Sequence, residues 1–266
     1  MTRPSRLILV TGTGTEVGKT WVTAALSRRL RAFGIEVAAR KPAQSFTPGD
    51  TATDAAVLGE ATDTPADTVC PPHRWYPVPL APPMAADTLQ LAPILLDDLV
   101  AELDWPSDVA IGFVEGAGGL CSPIAHDGDT LSLAQRVRPD LVLLVTEPVL
   151  GVVSQVRLAA RALTGHEVLV VLNRYDPSDE VHRRSRDWLT AIDALAVLTN
   201  HDLADTVDSD AAWRAISGEP TTRCGATVLP TSLATPPGPR CRDCHTPSSL
   251  VASLDRPTDT RVLTPP

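Results

Sequence analysis

The residues best equipped for chemistry begin in one glycine-rich run, Gly12-Thr13-Gly14-Thr15-Glu16-Val17-Gly18-Lys19-Thr20. An apolar run, Leu7 to Val10, precedes it, and a helical pattern follows. A strand, a glycine turn and a helix N-terminus together make a phosphate cradle, because free backbone N–H groups and the positive end of the helix dipole face one anion. Lys19 adds a point charge, and Thr20 a hydroxyl for Mg²⁺. The strict phosphate-loop pattern, G-x-x-x-x-G-K-[ST], wants glycine at position 13, where this chain has Thr13, so the match is to a longer form of the loop. The bland alternative is a glycine turn ending in a surface lysine; the strand before and the helix after argue against it. Nucleotide phosphate binding is therefore the premise.

Other candidates sit where strands end. Ile35 to Arg40 is a short apolar run leading to Lys41-Pro42, and Pro42 forces Lys41 out of helical geometry. Parallel sheets bind ligands at the carboxyl ends of their strands, which places Lys41, Gln44 and Ser45 near the phosphate loop. A solvated strand-end lysine is the competing reading of Lys41. Val109 to Val114 delivers Glu115 into Gly116-Ala117-Gly118-Gly119, a carboxylate beside glycines that let a ligand approach, as nucleotide enzymes arrange for Mg²⁺. A satisfied buried glutamate is its alternative. Asn173-Arg174 ends the strand Glu167 to Leu172, and an asparagine there can offer a donor and an acceptor to a base edge or can merely shape a turn.

The elements that position these residues alternate. Helical spacing runs from Trp21 to Phe33, with Gly34 as its stop. Thr51 to Glu60, carrying Asp54, is a further helix, and Thr88 to Leu103 another, with Pro93 tolerable only near its first turn. Between them Ala61 to Ala86 reads as a long proline-rich connection. Leu131 to Val137, Gly151 to Leu163 and Asp179 to Thr190 complete the helices; Asp140 to Thr146 and Leu195 to Leu198 complete the strands. The expected fold is α/β, a mostly parallel sheet with helices on both faces, of the P-loop NTPase type. Residues 1–217 form its domain. From Gly218 proline recurs and apolar periodicity vanishes, so 218–266 is expected to be a tail, disordered or a degenerate zinc ribbon.

With 266 residues the chain can bury a core without staples. A net charge of -9 leaves no basic stripe for a phosphate backbone, which argues against nucleic acid. The sequence shows no apolar signal segment and no uninterrupted span, so a cytoplasmic protein without membrane partners is expected. Five scattered cysteines do not form a disulfide framework. Cys70 and Cys121 read as packing residues. In Cys241-Arg242-Asp243-Cys244-His245 a haem attachment site fits badly with a chain lacking an export signal. A metal-free tail is the first reading, zinc at Cys224, Cys241 and Cys244 with His245 the second, and redox chemistry the third.

Over about residues 6 to 200 the chain resembles the dethiobiotin synthetases. The resemblance rests on the loop Gly12 to Thr20, Lys41-Pro42 with Ser45, Asp54, Glu115-Gly116-Ala117-Gly118-Gly119, Leu150-Gly151 and Asn173, in family order. The longer loop is a family trait. Partition and nitrogenase-type ATPases carry a second lysine where this chain has Gly14. The resemblance implies an ATP- and Mg²⁺-dependent cyclo-ligase of biotin biosynthesis. It would form the ureido ring of dethiobiotin from 7,8-diaminononanoate and CO₂ through a phosphorylated carbamate. It implies Lys19 and Lys41 as catalytic cations, and nucleotide contacts from Gly14, Thr15, Glu16, Val17, Gly18, Lys19, Thr20, Trp21, Glu115, Gly116, Ala117, Gly118, Asn173 and Arg174. Thr20, Asp54 and Glu115 would hold Mg²⁺, and Ser45 would bond the substrate. It further implies a homodimer, in which Leu150-Gly151 of one subunit meets the substrate carboxylate bound to the other.

The departures lie on the organic side: Phe46 where the family has glycine, Pro83 for a histidine, and Ser154-Gln155 for Asn-His. The Gly-x-x-Pro segment that frames adenine is not recognisable in Leu195 to Asn200. Two alternatives follow, a sister ATP-dependent ligase on another amine or carboxylate, and a non-catalytic nucleotide-sensing domain.

Overall fold

The computed structural model of the chain describes residues 3–204 and 216–218. The strands in chain order are β1 (Arg6–Gly12), β2 (Val37–Arg40), β3 (Gln44–Ser45), β4 (Trp75–Tyr76), β5 (Ile111–Glu115), β6 (Pro123–Ala125), β7 (Gly128–Asp129), β8 (Leu141–Thr146), β9 (Val168–Leu172) and β10 (Ala196–Thr199). The helices are α1 (Lys19–Ala32), α2 (Asp54–Thr62), α3 (Ala66–Val69), α4 (Pro82–Thr88), α5 (Leu96–Ala101), α6 (Thr130–Val137), α7 (Val152–Ala162), α8 (Glu180–Ala191) and α9 (Asn200–Ala204). Six strands form one sheet in the order β10-β9-β8-β1-β5-β2, and every pairing in it is parallel.

The sheet is covered on both faces because its strands are apolar at successive positions. Along β1, Leu7 and Leu9 join one buried cluster with helices α4 to α8, while Ile8 and Val10 join the other with α1, α2 and α9. In β8, Val142 and Leu144 face the first cluster, and Leu141, Leu143 and Val145 the second. Period-2 alternation with no polar face is what a sandwiched parallel strand requires.

Register sets the site. Val10 lies opposite Glu115, and Gly12 opposite Val145, so the phosphate loop and the acidic strand end leave one edge of the sheet together. β5 is inserted between β1 and β2, so the chain leaves β1 toward one side of the sheet and later passes to β8 on the other. A crevice opens outside the strand ends where the direction of winding changes.

Two expectations are corrected. The proline-rich stretch from Ala61 to Ala86 carries α3, a single 3-10 turn at Pro72–Arg74, β4 and the start of α4. Pro82 and Pro83 occupy the first turn of α4, where a missing N–H costs nothing because no carbonyl awaits it. Thr88 to Leu103 is not one helix: α4 ends at Thr88, Gln90 takes a left-handed φ of 56°, and helix resumes only at Leu96, beyond Pro93. Cys224, Cys241 and Cys244, with all of the expected 218–266 tail except Gly218, lie outside the described residues.

Candidate functional site

The loop after β1 is shaped by close approach. Gly18 has a φ of 91°, and a Cβ there would lie 2.0 Å from Asn173 Nδ2, so only glycine fits. Asn173 Nδ2 donates to the Val17 carbonyl at 3.0 Å, bracing the loop from the end of β9. One amide donor of Asn173 is thus committed to the loop rather than to a ligand. Glu16 is left-handed at φ 61°, its carbonyl receives Arg174 Nη1 at 3.1 Å, and Arg174 also pairs with Glu147. Thr13 and Thr146 share a hydroxyl hydrogen bond of 2.7 Å between the ends of β1 and β8.

Lys19 and Thr20 open α1 inside this cradle. Lys19 Nζ folds back to donate to the Gly14 carbonyl at 3.1 Å. Burial first, and the neighbouring Lys41 cation second, lower the Lys19 ammonium pKa to about 8, partly offset by Glu115 and Asp54. Thr20 Oγ1 lies 2.7 Å from Asp54 Oδ1 and 2.8 Å from Glu115 Oε1. One hydroxyl proton serves one acceptor at a time, so three hard oxygens crowd a single point.

The cation facing them is Lys41. It is 2% exposed, and its Nζ reaches Asp54 Oδ2 at 2.7 Å, Glu115 Oε1 at 2.9 Å and the Gly116 carbonyl at 3.0 Å, using all three ammonium donors. Burial alone would lower its pKa; the two carboxylates outweigh burial and hold it above the ordinary lysine value. Burial likewise works against the Asp54 carboxylate, but Lys41, the Thr20 hydroxyl and Lys19 keep its pKa below the ordinary value. Glu115 is 1% exposed, and its second oxygen lies 3.0 Å from Thr23 Oγ1.

Thr20, Asp54 and Glu115 are an oxygen-only donor set, which suits a hard divalent cation such as Mg²⁺. Among the described residues no group of three or more His, Cys, Asp or Glu side chains is placed to hold a metal. The set here has two carboxylates and one hydroxyl, which is the sparse pattern expected when phosphate oxygens and water complete the shell.

A cavity of about 790 Å³ spans this cluster. Thr15, Glu16, Gly18, Lys19, Thr20 and Arg174 line its phosphate end, with Ala117 and Gly118 of the second glycine turn nearby. Lys41, Ser45 and Asp54 stand in the middle. Phe46, Asp50, Pro79, Leu80 and Pro82 form the far wall. Ser45 Oγ lines the cavity without a hydrogen-bond partner among the described residues. Phe46 is held edge-on to Trp75, 6.3 Å between ring centres at 86°, and its backbone N–H donates to the Tyr76 carbonyl.

Not every expected residue meets there. Trp21 is 50% exposed on α1 and lines no part of the cavity, because it precedes the buried Val22 and points away from the face that packs on the sheet. Val17 is buried beneath the loop, where its Cγ2 excludes a side chain at Gly12. Gly14 and Gly116 contribute carbonyls to the two lysines. Leu150 is 90% exposed and Gly151 caps α7 at φ 97°, both outside the cavity. Cys70 is buried as expected, but Cys121 is exposed, because the turn after Leu120 carries it to the surface. Pro83 is buried in α4, and Ser154 and Gln155 are exposed on α7. Two residues had gone unassigned from sequence. Thr23 lies one helical turn beyond Thr20 on the same face of α1, a spacing that could have revealed it; Ser122 accepts from Gly119 N–H at 2.8 Å and lines the cavity, with no comparable signal.

A family model described as an AAA domain matches residues 6–204. The chain is 38% identical over 173 residues to an ATP-dependent dethiobiotin synthetase of Methylobacterium nodulans, covering 60% of this chain and 76% of the relative. It is 37% identical over 195 residues to the enzyme of that name from Mycobacterium tuberculosis, covering 70% and 83%. Against that of Rhodococcus erythropolis it is 36% identical over 200 residues, covering 72% and 86%.

Proposed function

We propose, from the premise that this chain belongs to the dethiobiotin synthetase family, that it is an ATP-dependent ligase making dethiobiotin in biotin biosynthesis, closing a cyclic urea on 7,8-diaminononanoate with CO₂. The observation that carries the reading is the convergence of Lys19, Thr20, Lys41, Asp54 and Glu115 within hydrogen-bond reach along one strand edge, beside an unpartnered Ser45 hydroxyl and an apolar wall.

The chemistry proceeds in three steps. One amine of the substrate attacks CO₂ and loses a proton, giving a carbamate. A carbamate oxygen attacks the γ-phosphorus of ATP and ADP leaves, giving a carbamic–phosphoric anhydride. The second amine then attacks the carbonyl carbon, phosphate leaves, and the ring closes with loss of a proton. Carbamate oxygen leaves poorly until it is phosphorylated, which is why ATP is consumed.

The two lysines act where negative charge concentrates. Lys19 balances charge on the transferring phosphoryl group, and Lys41 does so on the carbamate and the bridging oxygen. A carbamate oxygen that reaches Lys41 exchanges for one of its three present partners, so the cation keeps its charge while its direction changes. Ser45 Oγ bonds the carbamate, and the aliphatic chain lies against Phe46, Pro79 and Leu80. Thr20, Asp54 and Glu115 would hold Mg²⁺, which supplies charge neutralisation on the triphosphate. Gly14, Thr15, Glu16, Gly18, Ala117, Gly118 and Arg174 surround the nucleotide, and Asn173 offers adenine the part of its amide not used by Val17. A homodimer completes the site, the N-terminus of α7 after Leu150-Gly151 of a second copy receiving the substrate carboxylate. Among the described residues no helix is long and apolar enough to cross a membrane, and a cytoplasmic location fits the reading.

Phe46 favours a second reading, a sister ligase on a different amine or carboxylate, because a rigid ring narrows the wall beside Ser45. The deciding experiment supplies ATP, Mg²⁺, bicarbonate and 7,8-diaminononanoate and identifies the product by mass. Dethiobiotin is the expected product. ADP release with other amines but none with this diamine would overturn the first reading in favour of the second.

A further inference from the structure

We infer that Gln44 is a positioning residue for the cation site, setting Asp54 in place by capping the first turn of α2 from the neighbouring strand β3. The inference rests on the reading of Asp54 as a ligand of a divalent cation.

Asp54 is the first residue of α2, and the segment before it, residues 47–52, is exposed. The first N–H groups of a helix have no partner within it. Thr53 Oγ1 accepts from Ala56 N–H at 3.3 Å, a bond internal to the turn. The Ala55 N–H is instead taken by Gln44 Oε1 at 2.9 Å, from a residue 11 positions back and 1% exposed. That bond joins β3 to the residue directly after Asp54. It closes the loop that carries Phe46 and Asp50 along the cavity wall. Ala55 is fully buried, so water cannot replace the lost acceptor.

The geometry asks for this constraint. Asp54 must keep one oxygen on Thr20 and the other on Lys41 at once, at 2.7 Å each. A small slide of α2 along its axis would break both. β3 is itself pinned by its pairing with β4, Gln44 opposite Trp75 and Ser45 opposite Tyr76, so Gln44 acts from a fixed base. Gln44 Nε2 is buried and has no hydrogen-bond partner among the described residues. A buried amide that bonds only through its carbonyl is explained by the carbonyl's task rather than by generic packing, for which an apolar side chain would serve better.

The test uses full-length Gln44→Met, which keeps volume and removes the acceptor, and Gln44→Glu, which keeps an oxygen at the same reach. Mn²⁺ binding in the presence of ADP is followed by electron paramagnetic resonance, ADP binding in EDTA by calorimetry, and exchange of the Ala55 amide by NMR. Gln44→Met should weaken Mn²⁺ binding about tenfold, in the range seen when an outer partner of a metal ligand is removed. ADP affinity without metal should stay within about twofold, and the Ala55 amide should exchange at least about tenfold faster. Gln44→Glu should restore Mn²⁺ affinity to within about threefold of the parent.

A purely structural role would lower the melting temperature and leave Mn²⁺ affinity of the folded protein unchanged; that result overturns the inference. So does a folded Gln44→Glu protein that binds Mn²⁺ as weakly as Gln44→Met. Should Gln44→Met not fold, Gln44→Glu decides alone, by retained affinity with a protected Ala55 amide or by its loss. Asp54→Asn separates the two levels. If it keeps the parent's Mn²⁺ affinity, the cation reading fails; if it loses affinity and Gln44→Met does not, only the role of Gln44 fails.

Discussion

The two ends of the cavity are built on opposite plans. Toward the phosphate loop, Lys19, Lys41 and Glu115 are buried and bonded: Lys41 spends three donors, and both Glu115 oxygens are engaged by Thr20, Thr23 and Lys41. Toward the far wall, Ser45 Oγ has no hydrogen-bond partner among the described residues, and at the wall itself Leu80 is 45% exposed and Phe46 rests on one ring edge. Charge is stabilised best by groups already oriented in a dry environment, so the first region works as a unit in which no member can change alone. The wall recognises shape, and a shape can be altered residue by residue. A common reaction and a variable substrate can therefore share one cavity.

The sharpest way to break this contrast is to remove one member of the bonded end. Lys41→Ala should lower kcat about 10³-fold, as loss of a donor to a developing oxyanion does, with ATP affinity within about fivefold of the parent. In the proposed mechanism the charge of Lys41 is needed mainly in the transition state, so kcat should carry the loss. Lys19→Ala should abolish turnover. Steady-state kinetics with a separate nucleotide-binding measurement check both. A Lys41→Ala enzyme with kcat within a few-fold of the parent would mean that the end is not a unit.

Proton linkage gives a second, smaller effect at the same end. Lys19 in the folded protein titrates at about 8, below its ordinary 10.5. Above pH 8 the free protein therefore holds this lysine neutral, while a bound polyphosphate favours the charged form. ATP affinity should be flat below pH 7 and fall toward tenfold per pH unit above about 8.5. The stability sign is opposite. Between about 8 and 10.5 the unfolded chain binds a proton that the folded chain does not, so the Lys19 contribution to stability rises with pH in that window. Calorimetric ATP titrations from pH 6.5 to 9.5 test the first statement. Lys19→Arg, always charged, should show no such limb.

At the wall, the sign of a modest effect distinguishes the two functional readings. If Phe46 packs against the aliphatic chain, Phe46→Ala should raise the KM for 7,8-diaminononanoate about three- to tenfold, with kcat and nucleotide affinity near parent values. If the ring instead narrows the site against that diamine, the same substitution lowers its KM. A change in nucleotide affinity of similar size would show that the two ends are coupled and that the contrast is drawn too sharply.

What the sequence revealed follows the same division. β1, β5, β8 and β9 were legible because a strand buried on both faces reads as an apolar run, and a glycine or polar residue ends each run or directly follows it, Asn173 after β9. Lys19 was legible from its loop, Lys41 and Glu115 as charges at strand ends that each kept a bland alternative, and Asp54 only through the family resemblance. The wall was not. Pro82 and Pro83 signal a loop by composition, yet they begin α4, since proline is equally suited to a first turn. Trp21 directly follows the loop's motif but faces outward, which only the packing of α1 decides. The partner of Gln44 is a backbone N–H, which no side-chain pattern announces.

The smallest expected effect concerns the chain beyond the domain, and its test is paired with one just inside. Ile216 is 2% exposed and joins the cluster containing Leu26, Leu30 and Leu203 under α1. At Gly218 a Cβ would lie 2.6 Å from Arg6 Nη1, so the backbone there still lies against the start of β1. The proposed boundary at 217/218 thus falls just after the last buried side chain among the described residues. Ile216→Ala should destabilise the domain by about 2–4 kcal/mol, by lost transfer energy and residual cavity, without moving ATP affinity. A chain ending after Gly218 keeps that side chain, and its ATP affinity should lie within about twofold and its Tm within about 2 °C of the parent. Loss of folding on that truncation, with Ile216→Ala tolerated, would move the boundary outward and make residues 219–266 part of the nucleotide-binding unit.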